Sequence, residues 1–256
     1  MSEPPSLSSC TVLVTGAGAG FGAAMAERFA SKGARVACAD IDVEAAQRTA
    51  ERLRTIGAQT LAIGCDVASG ESVSDAVAQV VGCWGGFNVL INNAAVSQRP
   101  ARIAKTPEAD VDRLLAVNIK SLYHMAVHAV PVLRAAGGGS IINIASVTGL
   151  RPRPGMTWYN ASKAAVISLT QSMAAELAAD RIRVNAIAPV AGRTPMLETM
   201  FGDRIDDGIR NVMGTIPLGR LCEPTDVAAA AAFLASPEAA FITGVTLPVD
   251  GGRLVA

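Results

Sequence analysis

The sequence predicts a single doubly wound α/β domain, with a mainly parallel sheet of about seven strands and helices on both faces. Three observations predict it. The strand-like runs are apolar almost throughout, as strands covered on both faces must be. They alternate with segments of helical periodicity through six successive units. Glycines gather at the first strand-to-helix turn, in "TGAGAGFG".

The elements follow in order. Thr11–Thr15 is a short β-branched strand, and Phe21 to Lys32 is a helix stopped by Gly33, a typical residue just past a helix end. "ARVACAD" is the second strand, followed by a helix from about Val43 to Ile56. "TLAIGCD" is the third, followed by a helix from about Ser72 to Trp84. "FNVLINNAA" is the fourth, and the long pattern from Pro107 to Ala136 holds one or two helices. "GSIINIAS" is the fifth strand, a helix opens around Tyr159, and "IRVNAIAP" is the sixth. Val227 to Ala235 is a core helix, and "GVTLPVDGG" is a closing strand. Residues 1–10 read as an N-terminal tail and 11–256 as one domain. Val190 to Leu221, rich in Met, Gly and Pro, sits just past a strand end and reads as a lid over a substrate site.

Composition limits the function classes. The 256 residues carry 22 basic and 22 acidic side chains, so no electrostatic footprint for nucleic acid or an anionic membrane is expected. "MSEPPSLSSC" lacks the pattern of a secretory signal, and the most apolar segment is too short to span a bilayer. Cys10, Cys38, Cys65, Cys83 and Cys222 are dispersed, which argues against a disulfide framework or zinc site and for a cytoplasmic location. His124 and His128 lie one helical turn apart without an accompanying carboxylate motif, so no metal is expected.

Gly16, Gly20 and Gly22 stand between the first strand and first helix, where small residues let a pyrophosphate approach the helix N-terminus. Their spacing, G-x-x-x-G-x-G, differs from the commoner fingerprint. Asp40 closes the second strand, where an acid can accept from the adenosine ribose, and Asp66 closes the third. Tyr159 and Lys163 are four residues apart and share one helix face, a spacing that surface helices also show by chance. Ser146 ends the fifth strand, placed either to cap the next turn or to hold a substrate oxygen.

Taken together, "TGAGAGFG", "CDV" at 65–67, "NNAA" at 92–95, Asn118, Ser146, "YNASK" and "NAIAP" resemble, in order and spacing, the classical short-chain dehydrogenases/reductases. The resemblance runs from Thr11 to Gly252. It implies catalytic roles for Tyr159, Lys163, Ser146 and Asn118. Lys163 would hold the nicotinamide ribose, and Asn118 a water relaying protons to it. It further implies a dinucleotide site of Gly16, Gly20, Phe21, Gly22, Asp40, Ile41, Asp66, Val67, Asn93, Ala94, Tyr159, Lys163 and Thr194. A homotetramer is implied as well. Two positions depart from the family pattern: Ala95 stands for a glycine, and Val190 replaces the glycine after Pro189.

Alcohol oxidation needs a base for the hydroxyl proton, and a free phenol titrates too high for that at neutrality. The Lys163 ammonium and an oxidised nicotinamide are expected to favour the phenolate. Asp40 argues for NAD (NADH), since a phosphate on the ribose would meet its charge. The expected function is therefore an NAD-dependent oxidoreductase acting on a secondary alcohol or ketone. A 3-oxoacyl-carrier-protein reductase is the enzyme alternative, and an NAD-sensing or scaffold protein the non-enzyme one. Arg151 and Arg153, in "GLRPRPGMTW", are either solvated loop charges or a grip on an anionic substrate group.

Overall fold

The structure, a computed structural model, describes residues 7–256, the side chain of Asp203 excepted. Residues 1–6 of the expected tail lie outside the described residues, and Leu7 is already buried.

Seven strands form one sheet in the order β3-β2-β1-β4-β5-β6-β7, every neighbouring pair parallel. They are β1 Thr11–Thr15, β2 Arg35–Asp40, β3 Thr60–Gly64, β4 Val89–Asn92, β5 Gly139–Ile144, β6 Ile182–Pro189 and β7 Thr246–Val249. The chain steps outward from β1 to β3, returns to place β4 beside β1, and then runs the other way. That reversal opens a crevice at the strand C-termini, where sheets of this kind bind ligands.

Side-chain alternation builds a core on each face. Val12 and Val14 of β1, with Val36 and Ile91, pack against Met25 and Phe29 of α1 (Gly20–Ser31), Leu53 of α2 (Val43–Thr55) and Val227 of α9 (Pro224–Ala235). Leu13, with Ala37 and Leu90, packs oppositely against α3 (Gly70–Trp84), α5 (Ser121–Ala135) and α6 (Thr157–Leu177). Each large side chain so buried contributes about 2 kcal/mol, which is why near-continuous apolar strands require helices on both sides.

Some expected elements are redrawn. The fourth strand stops at Asn92, because Asn93 turns its amide back onto the glycine turn. The long helical pattern is α4 (Glu108–Leu115) and α5, joined by a π-helical turn over Ala116–Lys120. The stretch from Val190 to Leu221 contains α7 (Met196–Phe201) and α8 (Ile205–Met213), with Ile205, Ile209 and Val212 packed against the core. Buried Val190 donates its N–H to the Val249 carbonyl at 3.1 Å, extending the β6–β7 pairing by one residue. This gives the backbone a defined path where the family glycine is missing.

The five thiols are free. Burial pushes Cys38 and Cys222 up to about 12 and Cys65 to about 11, so all three stay protonated at neutral pH. Among the described residues no helix is long and apolar enough to cross a membrane.

Candidate active site

At the C-terminal edge of β1 the chain must reverse tightly, and Gly16 and Gly20 supply backbone with φ of 64° and 54°. A Cβ on Gly22 would lie 1.9 Å from the Gly16 carbonyl oxygen, so only glycine lets the turn close. Asn93 braces the turn from β4, donating to the Thr15 and Gly16 carbonyls at 2.9 and 3.0 Å. No side chain caps the start of α1 and no acid lies in its first turn, which leaves its N–H groups open to an anion.

A cleft of about 340 Å³ extends from this turn. It is lined by Gly16, Gly20 and Phe21, by Asp40 and Ile41 at the end of β2, by Asp66 and Val67 past β3, by Asn93 and Ala94 past β4, and by Thr194. Gly22 is not on the lining; it acts inside the turn. The Asp40 carboxylate accepts from the N–H groups of Gly18 at 2.8 Å and Asp42 at 3.0 Å, which fixes it at the cleft. These residues fit a dinucleotide: open N–H groups for the pyrophosphate and a held carboxylate for a ribose.

A second cavity, of about 260 Å³, shares Phe21, Asn93, Ala95, Thr194 and Met196 with the first, so the two are halves of one groove. Here Ser146, Tyr159 and Lys163 come together, all buried. The Ser146 oxygen accepts from the Thr148 N–H and hydroxyl at 3.2 and 3.1 Å, which leaves its own hydrogen to donate. Lys163 Nζ donates to the Ile144 carbonyl at 2.9 Å. Burial pushes the Tyr159 phenol up to about 12, with a hydrogen bond from Ser146 pulling the other way, and pushes Lys163 down to about 8. Burial thus acts against the lowering of the phenol expected from Lys163 and an oxidised nicotinamide.

Asn118 lies outside the cavity lining, in the π-helical turn, where the widened backbone turns its amide inward. Its Oδ1 accepts from Val96 N, and its Nδ2 donates to Val96 O at 3.0 Å and to Ser162 Oγ at 3.0 Å. Ser162 in turn donates to the Tyr159 carbonyl at 2.8 Å. One residue the sequence reading passed over is Gln98. Its buried Oε1 accepts from the N–H groups of both Trp158 and Tyr159 at 3.2 Å, capping α6 where the tyrosine stands. A buried glutamine reaching across sixty residues leaves no local sequence signal. Among the described residues no three His, Cys, Asp or Glu gather as a metal site; His124 instead bonds the Val67 carbonyl at 3.1 Å.

Residues 16–253 match the family described as Enoyl-(Acyl carrier protein) reductase. The chain is a short-chain dehydrogenase/reductase. Its relatives include a 4-formylbenzenesulfonate dehydrogenase of Comamonas testosteroni, 42% identical over 96% of this chain and 98% of the relative. A 3-ketoacyl-(acyl-carrier-protein) reductase from Brucella melitensis, solved with NADH, superposes with a TM-score of 0.90 at 40% identity, covering 97% of this chain and 99% of that one. A 7α-hydroxysteroid dehydrogenase, solved with NADH and 7-oxo glycochenodeoxycholic acid, gives 0.91 at 34% identity, covering 96% and 95%. As a short-chain dehydrogenase/reductase, the protein is an oxidoreductase that interconverts hydroxyl and carbonyl groups with a nicotinamide cofactor.

Proposed function

We propose that this enzyme uses NAD rather than NADP and that Tyr159 is its general acid and base. The convergence of Ser146, Tyr159 and Lys163 at one end of a groove whose other end carries Asp40 is the observation behind this reading. When bound, the nicotinamide accepts or returns the hydride. The remaining work falls to the chain. Ser146, whose oxygen already accepts from Thr148, turns its hydroxyl hydrogen from Tyr159 to the substrate oxygen and stabilises charge on it. The neutral Tyr159 phenol gives its proton to a carbonyl oxygen during reduction; in oxidation the phenolate takes it back. Lys163 holds a ribose and replenishes the proton, with Asn118 ordering the route. Helices α7 and α8 act as the lid, lining the site with Met196, Leu197, Met200 and Val212 and keeping water out.

Two relatives named or solved with ring-bearing carbonyl compounds support a cyclic or aryl substrate. We also infer a cytoplasmic homotetramer. Exposed Tyr123 and Val127 on α5, and Phe241 after α9, support association between copies. The test is to mix protein, NAD or NADP, and a panel of cyclic, aryl and aliphatic alcohols and hydroxyacyl thioesters, and follow reduced nicotinamide. NAD-linked turnover of ring alcohols is expected. Turnover confined to thioesters would instead favour the acyl-carrier reductase reading.

A further inference from the structure

Cationic side chains line the substrate cavity. Arg151, Arg153, Arg253 and Lys163 stand on its lining, and no Asp or Glu does. Among the described residues neither Arg153 nor Arg253 is ion-paired. The Arg153 guanidinium is half-buried, 5.2 Å from the centroid of the Phe201 ring. Burial and the nearby charge of Arg253 both act against its protonated form. Among the described residues the Arg253 side chain makes only a long 3.5 Å contact, to the Thr215 carbonyl. Two like charges facing one partly dry cavity repel each other, and that cost is removed when an anion sits between them.

Arg151 has a different part. It donates to the backbone oxygens of Arg253 at 3.1 Å and Ala256 at 2.6 Å, and so draws the C-terminal segment against the loop that carries Arg153. It is a positioning residue for Arg253. The rest of this end of the cavity is apolar, with Val190, Met196, Leu197 and Met200. Asn211 and Thr215 are neutral, so the charge an anion would meet there comes from the guanidinium groups.

We propose that Arg153 and Arg253 form a subsite for a carboxylate or sulfonate carried by the substrate itself, away from the reacting carbon. The subsite rests on the oxidoreductase reading above and names its substrate class: alcohols or ketones with an apolar body and one anionic end. Guanidinium groups suit this, because they present paired donors to an oxyanion.

The test compares NADH-dependent reduction of 4-acetylbenzoate with that of its methyl ester, which keeps the ring and ketone but lacks the charge. The unmodified enzyme should favour the acid by about tenfold or more in kcat/KM, through KM. Arg153→Gln and Arg253→Gln should each lower that ratio about tenfold, while Arg153→Lys keeps most of it. Melting curves identify any variant that fails to fold, and the other arginine then carries the comparison. Equal ratios in the unmodified enzyme and in folded variants overturn the subsite. Calorimetric titration of 4-acetylbenzoate into the NADH-loaded protein reads the same subsite without turnover. Arginine-dependent binding with no ketone reduced would leave the subsite standing and remove the functional reading. Reduction of both ketones without charge preference would do the reverse.

Discussion

The Lys163 ammonium lies 5.9 Å from the centroid of the Tyr159 ring, while one of its hydrogens is committed to the Ile144 carbonyl. Burial therefore governs both groups: the phenol is driven up to about 12 and the ammonium down to about 8. A phenol raised in this way is a protonated acid across the physiological range. Tyr159→Phe keeps the ring and its packing but removes this proton. Reduction and oxidation rates should both fall by about two orders of magnitude or more, with dinucleotide binding retained. The ultraviolet difference between the unmodified protein and this variant should show no Tyr159 phenolate until strongly alkaline pH. Near-normal turnover in the variant would exclude the assignment.

Lys163 also makes stability depend on pH. Its folded value, about 8, lies below the ordinary 10.5, so the unfolded chain binds more protons between those limits. Stability from this site is thus lowest below about pH 8 and rises as pH climbs from 8 towards 10.5. The full span is on the order of 3 kcal/mol. Lys163→Met removes the titration. The difference in Tm between enzyme and variant should shift in favour of the enzyme over that window, since Tyr159 is common to both. A difference that stays flat with pH would show that the ammonium is solvated in the folded protein.

Cofactor choice rests on Asp40. Its two oxygens already brace Gly18 and Asp42, so Asp40→Ala would loosen the turn as well as remove the ribose acceptor. Ile41→Arg is the cleaner change, because Ile41 is 75% exposed and lines the same cleft. The unmodified enzyme should prefer NAD by about two orders of magnitude in kcat/KM, from charge repulsion plus a lost hydrogen bond. Ile41→Arg should move the preference towards NADP. Equal use of both cofactors by the unmodified enzyme would show that Asp40 does not meet the ribose.

Two glycines make opposite predictions. In Gly22→Ala the new Cβ collides with backbone and with Asn93, which no rotamer change relieves. Dinucleotide binding should weaken at least about tenfold, with a stability loss of roughly 1–3 kcal/mol. Gly82→Ala, inside α3 and facing open space, should gain roughly 0.5–1 kcal/mol. Denaturant titrations of the two variants, with NADH binding for the first, check the pair.

Much of this could be read from the chain because the relevant forces are local. Apolar runs such as Val12–Val14 had to be strands under helices on both faces, and the turn after Thr15 needed glycine for its backbone angles. What escaped was set by tertiary packing. Helix α7 buries only Leu197 and α8 buries no side chain fully, and their Gly and Pro neighbours mask the period. Arg151 and Arg253 meet across about a hundred residues, and no spacing rule reports that. Lysine proximity and the nicotinamide suggested a lowered phenol; the burial that acts against it exists only in the folded protein.

The excursion that carries α7 and α8 leaves the sheet at Gly192 and comes back at Cys222, and these two residues pair side by side. Arg193 N–H bonds the Cys222 carbonyl at 3.0 Å, and Cys222 N–H bonds the Ala191 carbonyl at 3.2 Å. Its two ends therefore meet at a single stitch. The entropy of closing such a loop grows only slowly with its length, so the stitch tolerates a longer, shorter or entirely different insert. Residues 193–221 are in this sense an exchangeable cassette: the sheet, the glycine turn and the tyrosine can stay as they are while the shape of the substrate chamber is rewritten.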